Sequence, residues 1–446
     1  MKLAAALDLR AGEVVALVGA GGKTTALGCL ASDLLAFGPV VSSTTTHLAL
    51  SETRLAPHHL ILGDASRLAE LGELLRVHRH VLVTGPPLPR EGKLAGLTAD
   101  QFSRLAEVVK GAGITILVEA DGARGLPVKV PERHEPAVPR EATHIVVMAG
   151  LDALGRTLDA ATVHRAERFA EFAESSPGET ITSGNFARAL THPQSYPKVC
   201  RPATRFSIVL NKADTDQARE TARHIAAALL KSPLVERVVI AALAGDEPVS
   251  ESRVRMAGIV LAAGEASRMG RNKLLLPFRG RPILQHVVDS AREQTHEVIV
   301  VLGAGEEAIR QGVDLARVRM VSNLDWREGQ SSSLRAGLAA VGSTCGAAVF
   351  FLGDQPGLPG ELVGALMDRH ARTLASVVAP RHAGLRANPV LFDRSTWSEL
   401  SQVTGDQGGR ALFDRYRVEW VEWEHPGDFA DVDTDEDYRH LMSRET

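Results

Sequence analysis

The 446-residue sequence predicts two α/β domains, each built on a largely parallel sheet. Three observations carry that prediction. Short β-branched runs alternate with helical stretches along the chain, the pattern of repeated βαβ units. The length exceeds the roughly 250 residues that one hydrophobic core usually holds. A strand running into a glycine loop occurs twice, near residues 14 and 258, and the two are separated by AGDEPVSESRVR (244–255), which has no apolar periodicity. We assign residues 1–245 to the first domain, 246–255 to a linker and 256–446 to the second.

Composition narrows the class. Hydrophobic residues make up 44%, charged residues 23% and the net charge is −4, so nothing draws the chain as a whole to nucleic acid or a membrane. Aromatics are only 4%, which leaves the cores to Leu, Val, Ile and Ala. Cys29, Cys200 and Cys345 lie far apart with no C-x-x-C spacing, against both a zinc site and a disulfide framework. Asp8 and Arg10 interrupt the N-terminal apolar run, and no stretch reaches the roughly 18 apolar residues of a membrane span. A cytoplasmic protein in a reducing compartment is expected.

In the first domain, residues 14–18 read as a parallel strand delivering Gly19-Ala20-Gly21-Gly22-Lys23-Thr24-Thr25, followed by a helix with Leu27, Leu30 and Leu34 on one face. Strand, glycine loop, Lys-Thr and helix together suit phosphate: backbone N–H groups cradle it, lysine reaches the outer phosphates and a hydroxyl meets Mg²⁺. The full pattern G-x-x-x-x-G-K-[ST] would need a glycine where Leu17 stands, so this is a P-loop-like match in part, and a turn packing helix on strand is the alternative. A second strand ends in Ser42-Ser43-Thr44-Thr45-Thr46-His47, hydroxyls that either complete a phosphate shell or cap a helix. His58, His59, His78 and His80 lack carboxylates at matching spacing and read as surface histidines. The strand at 114–118 closes on Glu119-Ala120-Asp121-Gly122, where Asp121 is a candidate for coordinating Mg²⁺ or orienting water, or else a turn residue. A proline-rich loop follows through Lys129, then a strand at 144–148, a strand at 206–210 ending in Asn211-Lys212-Ala213-Asp214, and a last one at 238–242. Asn211 and Asp214 resemble the guanine-reading string of GTPases, which makes a second nucleotide in this domain a candidate ligand.

In the second domain, four apolar residues, 259–262, feed Ala263, Gly264 and a polar turn to Gly270, with Arg268 and Lys273 as fixed positive charges. A surface turn with two solvated cations is the bland alternative. Helix-forming stretches alternate with strands at 298–302, 320–321 and 347–352, the last delivering Gly353-Asp354-Gln355-Pro356. A carboxylate at the end of a rigid strand suits Mg²⁺.

The string Leu261-Ala262-Ala263-Gly264, Arg268-Met269-Gly270, Lys273 resembles the opening signature of the nucleotidyltransferases that activate the molybdenum cofactor. The resemblance implies a Rossmann-like nucleotidyltransferase fold, with residues 261–264 and Ser332 around the nucleotide, and Arg268 and Lys273 on its triphosphate. It makes Asp354 the metal ligand. Asp431-Val432-Asp433-Thr434-Asp435 resembles the family's closing acidic string, with Asp435 in place of proline, and offers Asp431 or Asp433 as a second ligand. Ala263 where guanylyltransferases usually carry glycine favours CTP: an added Cβ would narrow the base slot. Asn388-Pro389 and the string 405–410 resemble strings around the acceptor. The resemblance thus implies Mg²⁺, CTP and molybdopterin, with sugar phosphates as alternative acceptors and cofactor delivery as an alternative role. Residues 1–245 resemble the YqeC-type accessory family associated with selenium-dependent molybdenum hydroxylases, which implies transient contact with such a hydroxylase; from charge and hydropathy no nucleic acid or membrane partner is expected.

Overall fold

The computed structural model describes residues 1–265 and 269–443 and falls into two compact units, Met1–Ser252 and Arg253–Thr446. Arg268 lies outside the described residues.

The first unit is organised on β1 (Val14–Gly19), whose six residues are all buried. Along it Val14, Ala16 and Val18 join one core while Val15 and Leu17 join the other, because successive side chains alternate across a sheet. A strand apolar on both faces belongs inside a parallel sheet covered by helices on each side. The other strands of its main sheet are β2 (Val40–Thr44), β3 (His58–Ile61), β4 (His80–Thr84), β5 (Thr115–Glu119), β6 (His144–Gly150), β7 (Arg205–Asn211) and β8 (Arg237–Ala241). Their order is β8-β7-β6-β1-β5-β2-β4-β3, all parallel. Helix α1 (Lys23–Leu34) covers one face through Leu27, Leu30 and Leu34; α2 (Ala99–Val109) and α3 (Asp216–Leu229) cover the other through Phe102, Leu105, Ile225 and Leu229.

The second unit is organised on β9 (Val249–Ala262), followed by α4 (Ile283–Gln294), β10 (Glu297–Leu302), β11 (Arg319–Ser322), α5 (Gln330–Ala339), β12 (Cys345–Leu352), α6 (Gly360–Thr373), β13 (Val377–His382), β14 (Val390–Asp393) and β15 (Val418–Glu422). The order is β11-β10-β9-β12-β14-β13-β15, with β14 antiparallel to both neighbours. In both units the strand before the glycine loop stands where the chain reverses its direction of travel across the sheet. That leaves a crevice at the strands' carboxyl ends, the place where open α/β sheets take ligands.

Two expectations need correction. The stretch read as linker is strand from Val249 onward: Val249 and Val254 are buried, Glu251 pairs with Arg223 at 2.7 Å, Ser252 donates to the Ala6 carbonyl at 2.6 Å, and Arg253 pairs with Asp368 at 2.6 Å. Its polar residues are satisfied by partners remote in sequence, so periodicity does not reveal it. His80 is not a surface histidine: it is buried against Ser42 at 2.8 Å, and burial pushes its pKa down to about 4. No helix among the described residues is long and apolar enough to cross a membrane.

α5 packs closely on β9 and β10. A methyl at Gly337 would lie 2.5 Å from Cγ2 of Ile259 and 2.9 Å from Cγ2 of Val301. Gly337→Ala should therefore destabilise the second unit by about 1–3 kcal/mol through overpacking, read as a lower urea midpoint for its transition.

Candidate functional site

β9 ends at Ala262 and β12 beside it at Leu352, where the Gly353 N–H donates to the Leu261 carbonyl at 3.0 Å. The approach requires glycine, since a Cβ at position 353 would sit 2.9 Å from that oxygen. It delivers Asp354 to the crevice. Lys273 opens a short turn capped by Asn272, whose Oδ1 accepts from the Leu274 N–H at 3.1 Å. Its Nζ donates to Oδ2 of Asp354 at 2.6 Å and to Oδ1 of Asp433 at 2.7 Å. Burial opposes the ammonium charge, but the two carboxylates outweigh it and the Lys273 pKa is raised.

Asp433 is placed by its neighbour. Val432 is buried with Leu276, Phe278, Ile283 and Leu441, and its N–H donates to the Asp354 carbonyl at 3.2 Å. With Val432 turned inward, Asp433 reaches Lys273 while Asp431 accepts from Nε2 of Gln355. Burial, and then the nearby charges of Asp354 and Asp433, raise the Asp431 pKa. The expected trio of metal carboxylates is thus divided between a lysine and a glutamine. Among the described residues no three His, Cys, Asp or Glu side chains group closely enough to form a metal cluster.

A cavity of about 660 Å³ opens over this loop. Leu261, Ala262, Ala263, Gly264, Lys273 and Asp354 all line it. Ser332 does not: its hydroxyl is buried between Asn323 Nδ2 at 2.9 Å and the Gly329 carbonyl at 2.8 Å, and Ser333 lines the cavity in its place. Ala263 is only 3% exposed, and its methyl lies against Gly303, where a Cβ would come within 2.8 Å of it. The methyl fills a gap in the fold, so the steric argument for a narrowed base slot gains nothing from it. A smaller cavity of about 110 Å³ shares Leu261, Gln330 and Leu352 with the first and is lined by Arg386, Asn388 and Arg410. Burial, and then the charge of Arg410, lowers the Arg386 pKa.

In the first unit the loop of Gly19, Gly21 and Gly22 runs at positive φ. A Cβ at Gly19 would lie 2.2 Å from the Met148 carbonyl, so only glycine fits. Lys23 is buried, its Nζ donating to the Gly19 carbonyl at 2.7 Å and lying 3.3 Å from Asp121 and 3.6 Å from Glu119. Burial pushes the Glu119 carboxyl up to about 7, the Lys23 charge opposing it. Thr24 donates to Glu52 at 2.8 Å and Thr25 is exposed. The run at 42–46 is engaged within the protein: Ser43 donates to the Val83 carbonyl, Thr44 to that of Glu119 and Thr45 to that of Ala137. Asn211 braces the loop, donating to the Gly21 carbonyl at 2.8 Å and accepting from the Leu243 N–H at 3.0 Å. Asp214, beyond it, is exposed.

Sequence reasoning missed Lys129. It is fully buried, 3.4 Å from Asp121 and 3.1 Å from Glu135, and its Nζ donates to the Gly122 carbonyl at 2.7 Å. Its signal was a lysine between two valines, Val128 and Val130, both wholly buried. Glu135, which burial would push up, is held down at about 2 by its hydrogen bond from Arg165 and by Lys129.

The family model of the MobA-like NTP transferase domain matches residues 258–420, and that of the YqeC protein matches 15–167. The chain is 34% identical over 196 residues to the nicotine blue oxidoreductase of Paenarthrobacter nicotinovorans, covering 42% of this chain and 95% of that protein. It is 30% identical over 200 residues to the YqeC protein of Escherichia coli, covering 42% and 73%. Against the molybdenum cofactor cytidylyltransferase of the same organism it is 27% identical over 195 residues, covering 42% and 96%.

Asn211→Ala removes the hydrogen bond to the Gly21 carbonyl and orphans the buried Leu243 N–H. We expect a loss of about 1–3 kcal/mol in the first unit, measurable as faster amide exchange across residues 19–24 and a lower denaturation midpoint.

Proposed function

From a chain that belongs to the YqeC family in its first unit and to the MobA-like NTP transferase family in its second, we propose a CTP:molybdopterin cytidylyltransferase. The second unit is a nucleotidyltransferase. The observation that carries metal-assisted transfer at this site is the convergence of Asp354 and Asp433 on Lys273, with Lys273 and Asp354 lining the larger cavity. Cytidine and molybdopterin are supported by the cytidylyltransferase relative and by the resemblance at Ala263-Gly264, without any steric contribution from the buried methyl of Ala263.

In this reading a phosphate oxygen of the acceptor bonds to the α-phosphorus of CTP, the bond to the α,β-bridging oxygen breaks, and pyrophosphate leaves. The acceptor oxygen is ionised near neutral pH, so no side chain needs to remove a proton, and the protein's task is alignment and charge neutralisation. Lys273 leaves the carboxylates for the triphosphate, and the loop at 263–264 lets the backbone approach it. The donor set suits Mg²⁺, which binds through one or two carboxylates plus substrate phosphates: Asp354 and Asp433 already converge on one cation, and both would hold it. When bound, it would neutralise charge on the phosphates. Arg268, outside the described residues, is assigned to the triphosphate with Lys273. Arg386 and Arg410, which line the smaller cavity, are assigned to the acceptor. A molybdenum hydroxylase is the expected recipient of the product, and the work is done in the cytoplasm.

One relative favours a second reading, since the protein at 34% identity is named an oxidoreductase. The two separate cleanly by product. Incubating the full chain with molybdopterin, Mg²⁺ and each of CTP, GTP, ATP and UTP should release pyrophosphate with CTP at least tenfold faster than with the others. Asp354→Asn should lower kcat by roughly a hundredfold or more while leaving the fold intact. Preference for GTP would replace cytidine with guanosine, and consumption of NADH or NADPH without pyrophosphate would favour the oxidoreductase.

A further inference from the structure

We propose that the glycine loop of the first unit is a separate nucleoside triphosphate site, and that it takes the nucleotide as its complex with a divalent cation. The proposal uses none of the transferase residues. It begins with the donors left at the loop. The N–H groups of Gly19, Ala20 and Gly21 are already spent on Asp121, Met148 and Leu126. α1 then starts at Lys23 without a side-chain cap, so the amides of its first turn have no intrahelical partner and form the open end of a twelve-residue helix, where phosphate is favoured.

The second observation is Asp121, whose side chain is completely buried. Its Oδ2 accepts from the Gly19 N–H at 3.0 Å and lies 3.4 Å from Lys129. Its Oδ1 accepts no hydrogen bond and faces the Nζ of Lys23 at 3.3 Å. Lys23 is thus parked, its Nζ donating to the Gly19 carbonyl and lying close to Asp121 and Glu119. To reach a phosphate it must leave them.

That movement decides the ligand. A buried carboxylate oxygen stripped of its cation is costly, and Lys129 holds only the other side of Asp121. A divalent cation arriving on the triphosphate restores the lost charge beside Oδ1, and Thr24 presents a hydroxyl at the helix start once released from Glu52. Bare phosphate or uncomplexed triphosphate supplies no such replacement. Lys129 is then a positioning residue, fixing Asp121 so that one oxygen stays turned to the loop.

Titration calorimetry of the full chain with the Mg²⁺ complexes of GMPPNP and AMPPNP tests this. The wild-type protein should bind one more equivalent per chain than Lys23→Ala, and chelating Mg²⁺ should weaken that extra equivalent at least tenfold. Should Lys23→Ala fail to fold, Thr24→Ala, which leaves the buried charges in place, should weaken the same equivalent at least threefold without shifting thermal unfolding. Equal stoichiometry in wild type and Lys23→Ala, or an extra equivalent that binds as tightly without divalent cation, overturns the proposal.

Discussion

The second unit depends on one ammonium shared by two carboxylates. Lys273 comes from the turn after the glycine loop, Asp354 from the end of a central strand, and Asp433 from the C-terminal segment, and the three meet within hydrogen-bonding distance. The contact does two things at once. It neutralises a pair of acids that would otherwise repel each other in a half-buried place, and with the Val432 N–H it ties the C-terminal segment to the strand end at Asp354. A lysine held by carboxylates is also one that a triphosphate can compete for, which links the resting geometry to the chemistry proposed for it.

The first unit repeats the logic with deeper burial. Lys23 and Lys129 flank Asp121, and all three side chains are almost wholly shielded from solvent. Buried charges are retained where they are paired, and pairs of this kind gather where function needs them. Both arrangements stand at the carboxyl ends of parallel strands where strand order reverses. Glycines at 19 and 353 let the backbone pass within contact of a neighbouring carbonyl there.

Much of this was legible in the sequence. β-Branched runs announced the parallel strands because a sheet covered on both faces leaves no room for polar alternation. Leu261 to Gly264 and Asp354 stood out because each lies at a strand end, and Lys273 because it closes the string that Leu261 opens. What stayed hidden depended on contacts between remote residues. The first half of β9 looks like linker until Arg223 and the Ala6 carbonyl supply partners for Glu251 and Ser252. Lys129 looks solvated until Asp121 meets it. Helix phase, not composition, puts Ser333 on the cavity and Ser332 beneath it. The burial of Val432 distinguishes Asp433 from Asp431, and Gly303 accommodates the methyl of Ala263.

The most direct test is a crystal structure of the full chain with Mg²⁺ and a non-hydrolysable CTP analogue. The account predicts Lys273 on a phosphate oxygen and the carboxylates of Asp354 and Asp433 released to the metal, with the nucleotide in the cavity lined by Ala263 and Gly264. Nucleotide bound while Lys273 still bridges Asp354 and Asp433, or bound elsewhere in the second unit, would contradict it.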